Sequence, residues 1–508
     1  MGKKYSLGWI LLALFLIIYF YLYFYLNNSI FFDYDMPRVA FIVQDFLDKG
    51  TFLTSQTFFE ESVWRNVPWG PSLVLFYSLF LKISASPLIV SYMLSFINLI
   101  AIVALVIFSW KYFSKEVGII AGFMLAFNPY WLTYVRLIYQ PSPITFFIPI
   151  SMYLFFETTH GKNKWATILL PISWVILIQI YLPTYAFILT SFLAMIFFLR
   201  KINFKYLTAG ILLSLILFIP SVKFYRDNPI YLARFSEAPS LFTPPEKTFL
   251  ERFEKVSLSY LQIPIGGEFE HQTGYGQEDF VKRYALFYPA LTITLSAFFV
   301  LSILWNLYKG FVKKDYKRLI ILFWSITPLW SLMVLWVSDI LPRYFLIAIP
   351  AVVVLVSLTL IDLTRISKFF YILPILTIFF LIRFGVAYNN FIDSYDYRNG
   401  RFIDVAETPY VFIKQAVGWV IDDAKKNSCD PILTNNPDNP NFDIWLETKY
   451  IWKYIYFRDL RSEVDNPCHY LIDFKNKIMD REVYSLKTIG QYTIFKFNPT
   501  KNQPSQTY

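Results

Sequence analysis

The sequence predicts an all-α polytopic membrane protein with about eleven transmembrane helices, further interfacial helices and a small external α/β domain at the C-terminal end. Three observations carry that expectation. Of the 508 residues, 56% are hydrophobic and only 16% charged, and the mean hydropathy of +0.45 is too apolar for a soluble enzyme. The apolar residues gather in runs long enough to cross roughly 30 Å of hydrocarbon. The basic residues behind the net charge of +10 fall in short clusters between those runs. There they orient helices, so a membrane is expected as partner and nucleic acid is not.

The runs lie at about 7–27, 87–110, 117–135, 143–158, 165–182, 184–199, 206–222, 284–307, 319–338, 344–362 and 369–388. The opening "MGKKYSLGWILLALFLIIYFYLYFYL" carries two lysines, then apolar residues with no small-residue cleavage site, and reads as a retained first span. The segment "PSLVLFYSLFLKIS", 71–84, is too short to cross and suits a helix in the interface. If it does not cross, the connectors with Lys111 and Lys115, Lys162 and Lys164, Arg200 to Lys205, the "YKGFVKKDYKR" run, and Arg365 with Lys368 share the side of Lys3 and Lys4. The positive-inside rule then holds throughout, with the N-terminus cytoplasmic and the C-terminus outside a plasma or inner membrane.

Length and irregularity collect on the outward side, in residues 28–86, 223–283 and everything after about 389, and function is expected there. The division is a membrane domain, 1–388, and an external α/β domain, 389–508, with a helix near 410–426, a strand-like "HYLIDF" and a hairpin-like "YSLKTIGQYTIFKF". The two cysteines, Cys429 and Cys468, both fall in that domain, where an oxidising compartment favours a disulfide. No internal repeat is visible, which weighs against transporter folds built from inverted repeats.

Asp33 and Asp35 follow the first span on the external side, ahead of an expected amphipathic helix "MPRVAFIVQDFLDKG" marked by Pro37 and ended by Gly50. Two roles fit them: a cap on that helix, or a proton acceptor. The stretches "DYDMPRVAFIVQDFLDKG", "VPWGPSLVLFYSLFLKI", "AFNPYWLTYVRLIYQPSPITFFIPI" and "LPRYFLIAIP" together resemble, in order, the landmarks of the GT-C membrane glycosyltransferases. The branch is the one related to protein O-mannosyltransferases and aminoarabinose transferases of lipid A, and the resemblance covers roughly the first 390 residues.

The resemblance implies transfer of a sugar from a polyprenyl-phosphate-linked donor to a lipid, polysaccharide or protein acceptor on the external face, with inversion. It makes Asp35 the general base, with Asp33 beside it and Arg38 completing a D-x-x-R stretch near the substrate. It places Trp69, with Gly70 and Pro71, at the wall of the donor site, where a plain turn into an interfacial helix fits equally. Gln140 or Ser142 stands where many relatives have a second carboxylate. Arg343 and Tyr344 match an arginine-tyrosine element, and a guanidinium there grips phosphate with two parallel hydrogen bonds. Arg136 serves phosphate or anchors its helix at the headgroups. The loop "IPIGGEFEHQTGYGQEDF" holds Glu268 and His271, expected as part of a substrate-covering loop; no divalent metal is required and no metal-binding pattern appears. The aromatic content of 20% names no substrate by itself. Two other classes stay open, a transporter or flippase of lipid-linked sugars or small molecules and a non-catalytic relative that binds lipid-linked sugar.

Overall fold

The computed structural model describes residues 12–25, 35–50, 70–227, 249–261, 288–334, 342–392, 410–433, 467–474, 483–489 and 492–497. The helices in chain order begin with α1 (Leu12–Tyr25), α2 (Asp35–Lys49), α3 (Pro71–Leu81), α4 (Pro87–Tyr112), α5 (Lys115–Phe127) and α6 (Pro129–Val135). Next come α7 (Ile144–Phe156), α8 (Lys164–Ile180), α9 (Tyr185–Ile196), α10 (Phe204–Ile216), α11 (Ile219–Asp227) and α12 (Phe249–Leu261). The remainder are α13 (Tyr288–Val312), α14 (Tyr316–Ser325), α15 (Thr327–Val334), α16 (Ile349–Ile366), α17 (Ile372–Ile392) and α18 (Tyr410–Lys426).

Most breaks between helices have a local cause. Asn128 ends α5 and its side chain accepts from the Trp131 N–H at 3.1 Å, while Pro129 takes the first position of α6. The result is a bend of 64°, so the run 117–135, expected as one span, is a bent pair of helices. Ser114, Asn163 and Asn203 cap α5, α8 and α10 in the same way. Among the described residues, α4, α16 and Thr294–Val312 of α13 are long and apolar enough to cross a membrane. The pair α5 and α6 adds a fourth crossing if it counts as one, and α1, α3, α8, Leu182–Ile196 and α10 are apolar but shorter.

The centre of the bundle is α16. Of its most apolar window 83% is buried, against 44% for α4 and 22% for α13, which leave faces for lipid. It packs against α5, α13 and α14, while α4 packs on α5 and α7, and α8 on α7, α10 and α3. The helix α2 buries Met36, Val39, Ala40, Ile42 and Val43, a stripe at helical spacing, and lies against α3.

The C-terminal elements have their own core. Strands β1 (Asp430–Leu433), β2 (Pro467–Phe474), β3 (Val483–Ile489) and β4 (Tyr492–Phe497) form a sheet of order β1-β2-β4-β3. The segments expected as strand and hairpin form β2 and the antiparallel pair β3 and β4, and β1 runs parallel to β2. Ala416, Val417, Val420 and Ala424 of α18 pack on Tyr470 and Ile494. Asp423 accepts at 2.7 Å from both the Tyr470 hydroxyl and Lys496. The structure joins Cys429 to Cys468 by a disulfide, with Cα atoms 5.7 Å apart. Closing 39 residues of chain, it limits the unfolded ensemble by roughly 4 kcal/mol.

Candidate functional site

A 3-10 turn, Pro342–Phe345, precedes α16 and presents Arg343 at one end of the bundle. Its guanidinium is surrounded by phenols. Arg343 Nη1 donates to the Tyr139 hydroxyl and lies 5.7 Å from the Tyr139 ring centroid and 5.9 Å from that of Tyr344. Tyr344 stacks on Tyr181 at 6.4 Å, Tyr139 on Tyr134 at 6.1 Å, and Tyr134 meets Tyr130 at 4.9 Å. Tyr130 and Tyr181 are 1% and 5% exposed, and their hydroxyls make no hydrogen bond. A buried unpartnered hydroxyl costs about 1–3 kcal/mol. Two of them within electrostatic reach of one guanidinium form a site that is polar in advance of any ligand.

The turn that carries Tyr139 is pinned from α3. The Tyr77 hydroxyl donates to the Tyr139 carbonyl at 2.7 Å and accepts from the Tyr139 N–H at 3.0 Å. The helix α3 is itself seated on the end of α8. Gly70 N–H donates to the Gln179 carbonyl at 3.1 Å, and Ser72 N–H reaches the Gln179 side chain at 3.3 Å. A Cβ on Gly70 would lie 2.5 Å from the Gln179 Cβ, so only glycine permits this approach. Pro71 then opens the helix at its first position. The Gly70-Pro71 entry to α3 thus has a packing reason, and the helix of 11 residues, roughly 16 Å long, is about half the hydrocarbon thickness.

Arg136 and Arg343 read alike in the sequence and are held differently. Arg136 is 3% exposed and donates to the carbonyls of Leu132 at 3.1 Å and Leu22 at 3.3 Å, tying α6 to α1. Gln140 sits half-buried in the turn after Tyr139, and Ser142 is buried two residues on. Asp35 is the first residue of α2 and Arg38 lies one turn later. Because α2 packs on α3, and Tyr77 of α3 holds the Tyr139 turn, the start of the D-x-x-R helix and the Arg343 cage belong to one connected set of elements. Asp33, Trp69, Glu268 and His271 lie outside the described residues. Among the described residues no three His, Cys, Asp or Glu side chains gather as a metal site. The residues that sequence reasoning missed are Tyr77, Tyr130, Tyr134, Tyr139, Tyr181 and Gln179. In a chain with 37 tyrosines no local signal distinguishes them.

No family model and no curated protein matches the chain by sequence. Solved structures do match it in fold. The crystal structure of ArnT from Cupriavidus metallidurans bound to undecaprenyl phosphate superposes with a TM-score of 0.55 at 12% identity, over 98% of this chain and 99% of that one. The apo state of the same protein gives 0.57 at 11% identity, over 97% and 98%. The Archaeoglobus fulgidus oligosaccharyltransferase in the apo form gives 0.49 at 14% identity, over 89% of this chain and 60% of that one. The chain has the GT-C fold that its ordered landmarks predict, shared with ArnT over nearly its full length.

Proposed function

We propose that the protein is a membrane glycosyltransferase that moves a sugar from a polyprenyl-phosphate carrier to an acceptor at the external face. One observation carries the reading: a guanidinium without a carboxylate partner among the described residues, ringed by phenols of which two have no hydrogen bond. Such a cluster matches an anion with several acceptor oxygens better than a neutral ligand. The fold adds support, since one structure that shares it was determined with undecaprenyl phosphate bound.

In this scheme the acceptor hydroxyl attacks the anomeric carbon, Asp35 takes the hydroxyl proton, and the bond from that carbon to the phosphate oxygen breaks with inversion. Polyprenyl phosphate leaves as a stable anion, so no separate acid or metal is required. Arg343 and the phenols of Tyr139 and Tyr181 meet the developing charge in a site of low dielectric. Tyr344 lines the cage, and Arg38, Trp69 and Gln140, with the loop holding Glu268 and His271, border the substrates. The N-terminus is cytoplasmic, and residues 389–508 form an external domain. Purified protein given a polyprenyl-phosphate sugar and an acceptor should release polyprenyl phosphate in step with transferred sugar. Transbilayer movement of the intact lipid-linked sugar without its consumption would replace the enzyme by a flippase.

A further inference from the structure

The opposite, lysine-rich end of the bundle contains a second polar construction that the scheme above does not use. The turn between α4 and α5, the start of α14 and the last turns of α16 enclose a cavity of about 250 Å³, with Tyr112, Ser114, Lys317, Arg318, Asp362 and Arg365 among its walls. It is separated from the Arg343 cage by the length of α16, 18 residues or roughly 27 Å.

The charges around this cavity are unequally matched. Three cations, Lys317, Arg318 and Arg365, and two carboxylates, Asp315 and Asp362, line it, and Glu116 beside it lies within electrostatic reach of Arg365. Arg318 donates to both Asp362 oxygens at 2.6 and 3.1 Å and to Asp315 at 3.2 Å, and Trp305 Nε1 donates to Asp362 at 2.9 Å. Both carboxylates are therefore committed to Arg318. Among the described residues Lys317 Nζ reaches the Tyr112 carbonyl at 3.4 Å and lies 5.9 Å from the Tyr112 ring centroid, and Arg365 is 64% exposed and comes no nearer to Asp362 than 3.8 Å.

Backbone polarity adds to the imbalance. The helix α14 begins at the cavity, and Asp315 at its N-cap makes no capping bond because its carboxylate turns to Arg318. The first N–H groups of α14 thus lack the side-chain oxygen that ordinarily meets them. Beside the cavity, Trp110, Tyr316 and Ile366 are 52%, 54% and 66% exposed, an apolar border suited to acyl chains.

We infer that this cavity is a phosphoryl-group site in which Lys317 and Arg365 hold the anion while the Arg318–Asp362 pair forms its floor. The chemistry is that of a phosphate ester, supplied by the headgroup of an anionic phospholipid in the adjoining leaflet or by a soluble phosphate. The inference is independent of the function proposed for the Arg343 end.

The test uses the full chain in detergent, as wild type, Arg365→Gln, Lys317→Gln and Arg365→Lys. Native mass spectrometry measures retention of phosphatidylglycerol against diacylglycerol, and thermal unfolding measures protection by inorganic phosphate. Wild type should prefer phosphatidylglycerol, each Gln variant should weaken that binding roughly tenfold, and Arg365→Lys should keep most of it. Protection by inorganic phosphate that the Gln variants lose would identify a soluble source, and its absence beside lipid retention a headgroup. Arg365 is exposed, so Arg365→Gln should unfold at the wild-type temperature without ligand. Equal retention of both lipids by wild type together with no effect of phosphate, or Gln variants that bind as wild type does, would overturn the proposal.

Discussion

Arg343, in the turn before the central helix α16, and Arg318 of α14, bound to Asp362 in the last turns of α16, lie at opposite ends of that helix under contrary conditions. Arg318 has a fork of carboxylates: Asp362 takes two of its N–H groups, Asp315 a third, and Asn306 accepts another at 3.1 Å. Asn306 donates in turn to Thr359 at 2.9 Å, so the cluster locks α13, α14 and α16 together. Arg343 meets only phenols and ring faces among the described groups, and two phenols beside it have no partner. A saturated guanidinium is an architectural clasp. The Arg343 guanidinium has no such saturation among the described groups.

The largest expected effect tests the clasp. Arg318→Gln leaves the buried Asp362 without its bidentate guanidinium, with Trp305 and the more distant Arg365 as remaining partners, and should lower stability by about 3 kcal/mol. Thermal unfolding reads that directly, and an unchanged Tm would dissolve the contrast between the two ends. Next is Asp35→Asn, which keeps shape and capping capacity but cannot accept a proton. Turnover should fall on the order of 100-fold or more, with donor binding retained. Near-normal turnover by the folded variant would remove Asp35 as base, and a larger defect in Asp33→Asn would move the base two residues upstream.

Arg343→Gln should behave inversely to Arg318→Gln. Loss of hydrogen bonds to a charged ligand should weaken binding of polyprenyl phosphate by about 10- to 100-fold while Tm holds steady. Titration with the lipid measures it, and a large drop in Tm would make Arg343 a second clasp. Tyr77→Phe removes the pin on the Tyr139 turn and should cost about 1 kcal/mol, roughly a fivefold loss in donor affinity. That loss should not add to the one from Tyr139→Phe, because both act on the same turn.

The smallest effect concerns pH and belongs to the lysine-rich end. His160 is held down at about 4 by burial and by the nearby charges of Lys201 and Lys317. A depressed histidine favours the fold in its neutral form. Its contribution is therefore complete above the ordinary value near 6.5 and is lost as pH falls from there through 4. His160→Gln should flatten the decline of Tm across that window and leave it unchanged at pH 8.

Much of the architecture is legible in local sequence. The start of α3 at Pro71 follows from proline at a first helical position, and α18 and the β3–β4 hairpin from periodicity, whereas the Asn128-Pro129 break lies inside a run that reads as one span. The strand β1 was not legible, because four residues after a cysteine carry no pattern of their own until β2 lies beside them. Of the candidate site, Arg343 and Tyr344 emerge from the resemblance, whereas Tyr77, Tyr130, Tyr134, Tyr139 and Tyr181 do not.

By itself the sequence determined the membrane character and the positions of the notable charges, because hydropathy acts over a few neighbouring residues. Only the tertiary structure decided what each charge does. Arg136 and Arg343 both stand at the expected external ends of spans. Contacts across 114 residues of chain give Arg136 the Leu22 carbonyl, and contacts across 204 residues give Arg343 the Tyr139 hydroxyl. The groups that each guanidinium meets come from segments remote in the chain.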